Sequence, residues 1–344
     1  MTRAQLRTTK SQTVVFESLG DPLCGTLEQP ADSQASTAIL LLSGSGPQNR
    51  NQQIAGKPTF QILSAKLARA GYAVFRWDDR GVGDSAGDYD AAGANGVLAG
   101  IKSALAQVID TTRCQYQVLI GHSQGALFAA AMAATEPECV SGLVLAGAMG
   151  RCGEPALLDQ HRRICRAQGL SEEEVKATTA IKSRLFNVLM REIRDPWTDT
   201  LSQTNQMQLT HTLRDILFDG EHAEHFSAQD QAAVRHTIDD LLNWEWRFLL
   251  GCDPAENLQR VHCPVLVCTG DKDIQVDALA DVTALTQACR HLGANFSACT
   301  PRNCNHLFQH TFTAEQAYAQ LGEPFCDTAT TPIITWLNQN FPAL

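Results

Sequence analysis

Gly121-His122-Ser123-Gln124-Gly125 lies between the apolar run Gln117-Val118-Leu119-Ile120 and an alanine-rich stretch, Ala126 to Thr135, closed by Glu136-Pro137. The run reads as a buried strand and the alanine-rich stretch as a helix. A G-x-S-x-G pentapeptide between a strand and a helix is the setting of a nucleophile elbow. The serine there occupies a strained turn that lifts its hydroxyl above the sheet edge, and a side chain on either flanking glycine would strike neighbouring backbone. Ser123 is therefore the candidate nucleophile.

A serine hydroxyl is a poor nucleophile without a base, and in this arrangement an acid and then a histidine follow in chain order. Pro264-Val265-Leu266-Val267-Cys268 is a short apolar strand that runs into Thr269-Gly270-Asp271-Lys272-Asp273-Ile274-Gln275-Val276. Acids at a strand's C-terminal end lie on the rim where α/β sheets place ligands. A further strand over Ala294–Cys299 leads to Arg302-Asn303-Cys304-Asn305-His306-Leu307-Phe308, which puts His306 in the loop after the last strand. Composition alone leaves Asp271 and Asp273 both open as the acid. Asp271, nearer the strand end, is better placed to cap the turn, and Asp273 to reach over the rim. Upstream, Leu40-Leu41-Leu42 empties into Ser43-Gly44-Ser45-Gly46-Pro47-Gln48-Asn49-Arg50-Asn51. This Gly-rich loop allows a backbone N–H close to a substrate oxygen. The expected oxyanion donors are the amides of Ser45 and Gln124, each contributing about 3 kcal/mol to the transition state.

These segments, with Trp77-Asp78-Asp79-Arg80-Gly81-Val82-Gly83-Asp84-Ser85, Asp253-Pro254 before the Cys263-Pro264 strand and Asn305-His306-Leu307-Phe308-Gln309, carry a resemblance. The chain resembles bacterial serine esterases of the α/β-hydrolase superfamily, close to the cinnamoyl-esterase and dienelactone-hydrolase-like group. The resemblance spans nearly the whole chain and is loosest in the middle. It implies the α/β-hydrolase fold, hydrolysis of carboxylic esters through an acyl-enzyme, a triad of Ser123, Asp273 and His306, and no cofactor or metal. The chain departs from the family pattern at Asn49, Asn51 and Gln52, where acidic residues are usual, and at Ala126, where a second glycine is common. Short, medium or aromatic acyl esters are the expected substrates. A thioesterase, lactonase or peptidase with the same triad is the alternative, and a non-catalytic ligand-binding protein on the same fold is another.

Around the elbow, strand and helix patterns alternate. Thr13–Glu28 reads as a hairpin about Gly20-Asp21-Pro22, Ala38–Leu42 as a strand, Phe60–Ala70 as a helix, Ala73–Trp77 as a strand, Gly96–Ile109 as a helix and Leu143–Ala146 as a strand. Such alternation argues a mainly parallel, doubly wound sheet. From Arg151 to about Cys252 no strand pattern appears. Ser171-Glu172-Glu173-Glu174 reads as a capping box opening a helix that Pro196 stops, and a second helix starts near Ser227 and passes Trp246. The expected organisation is a hydrolase core over 1–150, a helical cap inserted over 151–254, and the rest of the core over 255–344 with a final helix at Pro332–Leu337.

The formal net charge is −10 over 344 residues, with no cluster of Lys and Arg. Neither nucleic acid nor an anionic membrane is an expected partner, because phosphate binding needs such a cluster. No stretch of about 18 apolar residues marks a membrane span. Met1–Gln12 lacks the apolar segment of a secretory signal, and the twelve scattered cysteines include no C-x-x-C pair. A cytoplasmic protein with reduced thiols is expected, acting on a small-molecule ester. Cys299, Cys304 and His306 match no common zinc spacing. His122 is expected to be structural, since neighbours on a tight turn point apart. Asp78, Asp79 and Arg80 read as fixing the turn after a strand, and Ser85 as a loop serine. His222 and His225 read as solvated, and Trp197, Trp244 and Trp246 as either pocket lining or core anchors.

Overall fold

The structure, a computed structural model, describes residues 7–198, 201–220 and 225–343. In chain order the first elements are β1 (Thr9–Ser18), β2 (Asp21–Pro30), β3 (Thr37–Leu42), α1 (Thr59–Ala70), β4 (Ala73–Trp77), α2 (Tyr89–Thr112), β5 (Tyr116–His122), α3 (Gln124–Thr135) and β6 (Gly142–Ala146). A helical stretch follows: α4 (Gly153–Ala167), α5 (Glu172–Met190), α6 (Gln203–Leu217), α7 (Ala228–Leu242), α8 (Trp244–Gly251) and α9 (Pro254–Leu258). The chain then forms β7 (Val265–Cys268), α10 (Ala280–Ala288), β8 (Phe296–Cys299) and α11 (Asp327–Asn340).

These eight strands form one sheet in the order β1-β2-β4-β3-β5-β6-β7-β8, and a separate two-residue antiparallel ladder pairs Gln53–Ile54 with Lys57–Pro58. β1 and β2 form an antiparallel hairpin, and β2 meets β4 antiparallel. Every other pairing in the eight-stranded sheet is parallel. Strands of a parallel sheet are covered on both faces and read as unbroken apolar runs; all six residues of β3 and all five of β6 are buried accordingly. On one face Ile39, Leu41, Val74, Val118, Ile120, Val144 and Leu266 share a core with α1 and α11. Since side chains alternate along a strand, Leu40, Phe75, Leu119, Leu143 and Val265, all buried, face the other side.

Three elements extend beyond the limits that their patterns predict. The hairpin strands run to Thr9 and Pro30, past the alternating apolar residues, because ladder hydrogen bonds continue where the edge side chains are polar. The helix expected over Gly96–Ile109 begins at Tyr89, capped by Asp88 and interrupted by Gly93 at φ 61°, which breaks its periodicity. The last helix begins at Asp327 and holds Pro332 in its interior.

The chain divides into two compact units. One comprises residues up to Ala92, Gly96–Arg151 and Pro254 onward; the other comprises Gly93–Asn95 and Cys152–Asp253. Among its described residues the second unit contains helices and no strand. Ser171 and Glu174 make the capping box in both directions at the start of α5. The helix expected from Ser227 through Trp246 is two, α7 and α8, parted at Asn243, whose side chain caps the second. The three tryptophans anchor this unit internally. Trp197 and Trp244 flank Phe248 with ring centroids 4.9 and 6.1 Å away, and Trp246 lies tilted against Phe186, centroids 5.4 Å apart, under the Lys182 ammonium. Among the described residues no helix is long and apolar enough to cross a membrane.

Candidate active site

β5 ends at His122 and α3 begins at Gln124, so Ser123 alone makes the turn. Its backbone lies at φ 55°, ψ −123°, a conformation that non-glycine residues rarely adopt. The Ser123 N–H donates to the Ala146 carbonyl at 2.8 Å, which fixes the turn to the end of β6. A Cβ on Gly121 would overlap the backbone of Gly125 and Ala126, and one on Gly125 the carbonyls of Leu42 and Ser43. Both positions accept only glycine because backbone segments meet there.

The loop after β3 crosses the elbow. A Cβ on Gly44 would lie 3.3 Å from that of Ser123. Ser45, the other expected oxyanion donor, is exposed on this loop. Gln124 opens α3, where the first N–H groups have no acceptor within the helix. The Gln124 side chain is buried, with Nε2 lacking a partner. Asp78 and Asp79 do more than fix their own turn, because they hold this loop. One Asp79 carboxylate oxygen accepts from the Gln48 amide at 2.9 Å and from the Ser43 hydroxyl at 3.2 Å. Asp78 accepts from the Arg50 amide at 2.6 Å and its guanidinium at 2.5 Å, and that guanidinium also reaches Asp84 at 2.7 Å. Burial pushes the Asp78 carboxyl up, but the Arg50 guanidinium and the amides of Asp84 and Arg50 outweigh it and hold the group below the ordinary carboxylate range. Arg80 binds Asp21 and Ser18, and Ser85 bridges the Asp78 carbonyl and the Cys24 amide.

The two acids after β7 have different partners. Asp271 accepts from the Cys304 amide at 3.3 Å and so ties the two loops together. Asp273 meets the histidine: His306 Nδ1 donates to its Oδ2 at 2.7 Å, while Oδ1 accepts from the amides of Gln275 and Val276 at 2.8 and 2.9 Å. Both side chains are buried, His306 4% and Asp273 0% exposed. With Nδ1–H given to Asp273, the neutral ring leaves Nε2 bare for a proton. Asn305 braces the His306 loop by accepting from the Leu307 and Gln309 amides at 3.0 and 2.9 Å. Gly147, at φ 58°, leaves room for the imidazole, since a Cβ there would lie 3.2 Å from two of its ring atoms.

His122 points away from the elbow into the interior. Its ring nitrogens meet the Gln52 side chain at 2.8 Å and the His306 carbonyl at 2.9 Å. Gln52, which the sequence marks only as a departure from an acidic pattern, is fully buried. Cys304 Sγ lies 3.6 Å from Cys326 Sγ, and all twelve cysteines are free thiols. Among the described residues no group of three or more His, Cys, Asp or Glu could hold a metal ion. His225 is exposed, and His222 lies outside the described residues.

The serine aminopeptidase S33 family model (Hydrolase_4) matches residues 58–298, well over half of the chain, a range that includes Ser123 and Asp273 and stops short of His306. The chain is 33% identical over 131 residues to "Putative carbamate hydrolase RutD" of Variovorax paradoxus. That match spans 38% of this chain and 44% of the relative. The fold is that of Pyrococcus furiosus esterase Pf2001 (TM-score 0.57, 13% identity, 96% of this chain and 91% of that one). It is also that of Est1E from Butyrivibrio proteoclasticus bound to ferulic acid (TM-score 0.56, 15% identity, 95% and 98%). A thermostable carboxyl esterase from Bacillus coagulans is a third neighbour (TM-score 0.54, 17% identity, 97% and 99%).

Proposed function

This chain belongs to the serine aminopeptidase S33 family of α/β hydrolases, and from that premise we propose that it is a serine esterase with Ser123, Asp273 and His306 as its triad. The observation that carries the reading is the buried 2.7 Å hydrogen bond between His306 and Asp273. It comes from the two loops where the elbow at Ser123 calls for its acid and base. His306 Nε2 takes the proton as Ser123 Oγ attacks the ester carbonyl. Asp273 holds the imidazole orientation and stabilises the imidazolium. The amides of Ser45 and Gln124 bind the oxyanion. His306 then protonates the leaving alcohol, and water activated by the same base releases the acid. None of these steps calls on a cofactor.

Short, medium or aromatic acyl esters are the proposed substrates, with the helical unit over 152–253 as the cap that limits acyl or alcohol size. The test is a panel of p-nitrophenyl esters of increasing acyl length, with Ser123→Ala as control. Rates should fall for long acyl chains, and efficient hydrolysis of emulsified triglyceride would overturn the size assignment. The RutD relative favours a second reading, carbamate hydrolysis through a carbamoyl-enzyme on the same serine. Matched p-nitrophenyl carbamates and esters, compared by kcat/KM, decide between the two.

A further inference from the structure

We propose that His122 is the positioning residue for the base loop, locked by Gln52 as the tautomer that carries its proton on Nε2 and donates it to the His306 carbonyl. The proposal rests on His306 being the base. The chemistry of the partners fixes each proton. A carbonyl only accepts, so His122 Nε2, 2.9 Å from the His306 oxygen, carries the hydrogen. The ring is neutral, because burial and then the neighbouring His306 push it down to about 3. Nδ1 is therefore bare, and only a donor can sit 2.8 Å from it, which is the Gln52 amide nitrogen.

Gln52 is held for this task. It is 0% exposed and sits in the left-handed region at φ 45°; its backbone N–H donates to the Asn49 carbonyl at 2.8 Å and its backbone carbonyl accepts from the Thr59 amide at 3.2 Å. Its Oε1 is buried without a donor. An apolar residue filling the same space would avoid that unsatisfied oxygen, so the position needs the side-chain amide N–H.

The chain of two hydrogen bonds joins three loops: the one after β3, the elbow and the base loop. Phe60, Phe308 and Phe325 enclose His122, with ring centroids 6.5, 6.4 and 6.2 Å away, and the His306 ring lies at 4.9 Å. The titratable groups that act on it are His306 and Asp273. A neutral ring here leaves the His306 imidazolium unopposed as it forms, whereas a second cation at that distance would repel it.

The test begins with nitrogen NMR of the histidine-labelled protein. His122 should show a protonated Nε2 and a bare Nδ1, unchanged from about pH 5 to 8. Gln52→Leu removes the donor, and Gln52→Glu puts an acceptor in its place. In both, kcat should fall by about tenfold or more with KM within about threefold, and Gln52→Glu should be the worse. His122→Gln, whose amide can still donate to the carbonyl, should recover part of the loss seen in His122→Leu. A proton on Nδ1, titration of His122 within that pH range, or folded Gln52 variants that keep kcat within about twofold would overturn the proposal. The rate at which a fluorophosphonate labels Ser123 separates the two readings. No labelling of the unsubstituted protein sinks the serine-hydrolase assignment and leaves the tautomer result standing on its own.

Discussion

Ser123 holds a backbone conformation that suits glycine better than serine, at φ 55° and ψ −123°. The strain is worth about 1–3 kcal/mol, so Ser123→Gly should raise stability by about 1 kcal/mol and abolish turnover. Ser123→Ala should lose about 10⁴-fold or more in kcat, because members of the proposed triad would act as a unit. Melting curves and rates on the same samples test both, and a Ser123→Gly protein less stable than Ser123→Ala would contradict the strain argument. The two acids after β7 separate in the same way. Asp273→Asn breaks the hydrogen bond that sets the His306 tautomer and should lower kcat by about 10⁴-fold with little change in KM. Asp271→Asn weakens its contacts to the Cys304 amide and the Lys272 ammonium and should cost about 1 kcal/mol of stability. If the Asp271 variant is the inactive one, the acid is misassigned.

The elements of the fold differ in how openly the sequence declares them. Strands β3, β5 and β7 stand out because a strand covered on both faces is apolar throughout, and the elbow stands out because its glycines are forced. Helix α6 is barely legible: of its fifteen residues only Leu209 and Leu213 are buried, so its apolar stripe is too narrow to show a period. The loop after β3 is legible as Gly-rich, but its fastening is not. The bonds from Asp78 and Asp79 to Gln48 and Arg50 link positions about thirty residues apart in sequence, a separation that no local pattern reports. Gln52 and His122 are seventy apart and equally hidden. Asp78→Asn should therefore destabilise the protein by about 2 kcal/mol, since it breaks the ion pair to Arg50 at a carboxylate only 3% exposed. It should also lower kcat by loosening the candidate oxyanion loop. A variant with unchanged Tm would show that the loop is held by other contacts.

For the molecule as a whole, the buried imidazole of His122 couples folding to pH. Its folded value, about 3, lies below the ordinary 6.5, so between these values the unfolded chain takes up a proton that the folded chain refuses. The stability is fully present above pH 6.5 and drains away towards about 3, at about 1.4 kcal/mol per pH unit. The depressed Asp78 carboxyl acts in the same direction but in a lower window, below its ordinary 3.8. Tm measured from pH 7 to 4 should fall steadily, and His122→Gln should flatten that slope by about one proton's worth. An identical slope in the variant would assign the pH dependence to other groups.

The crowding at Gly121 and Gly125 bears on any survey of variants scored by survival of the host. Substitutions at these glycines should remove the protein by unfolding it, and substitutions at Ser123, the proposed nucleophile, should leave the protein intact and idle, yet both would be depleted alike. Counting protein abundance beside fitness should part them. The glycine variants would vanish from both measures, while Ser123→Ala and Ser123→Gly would persist as protein. Positions that are dispensable for abundance and indispensable for fitness would then mark the chemistry without any knowledge of the natural substrate.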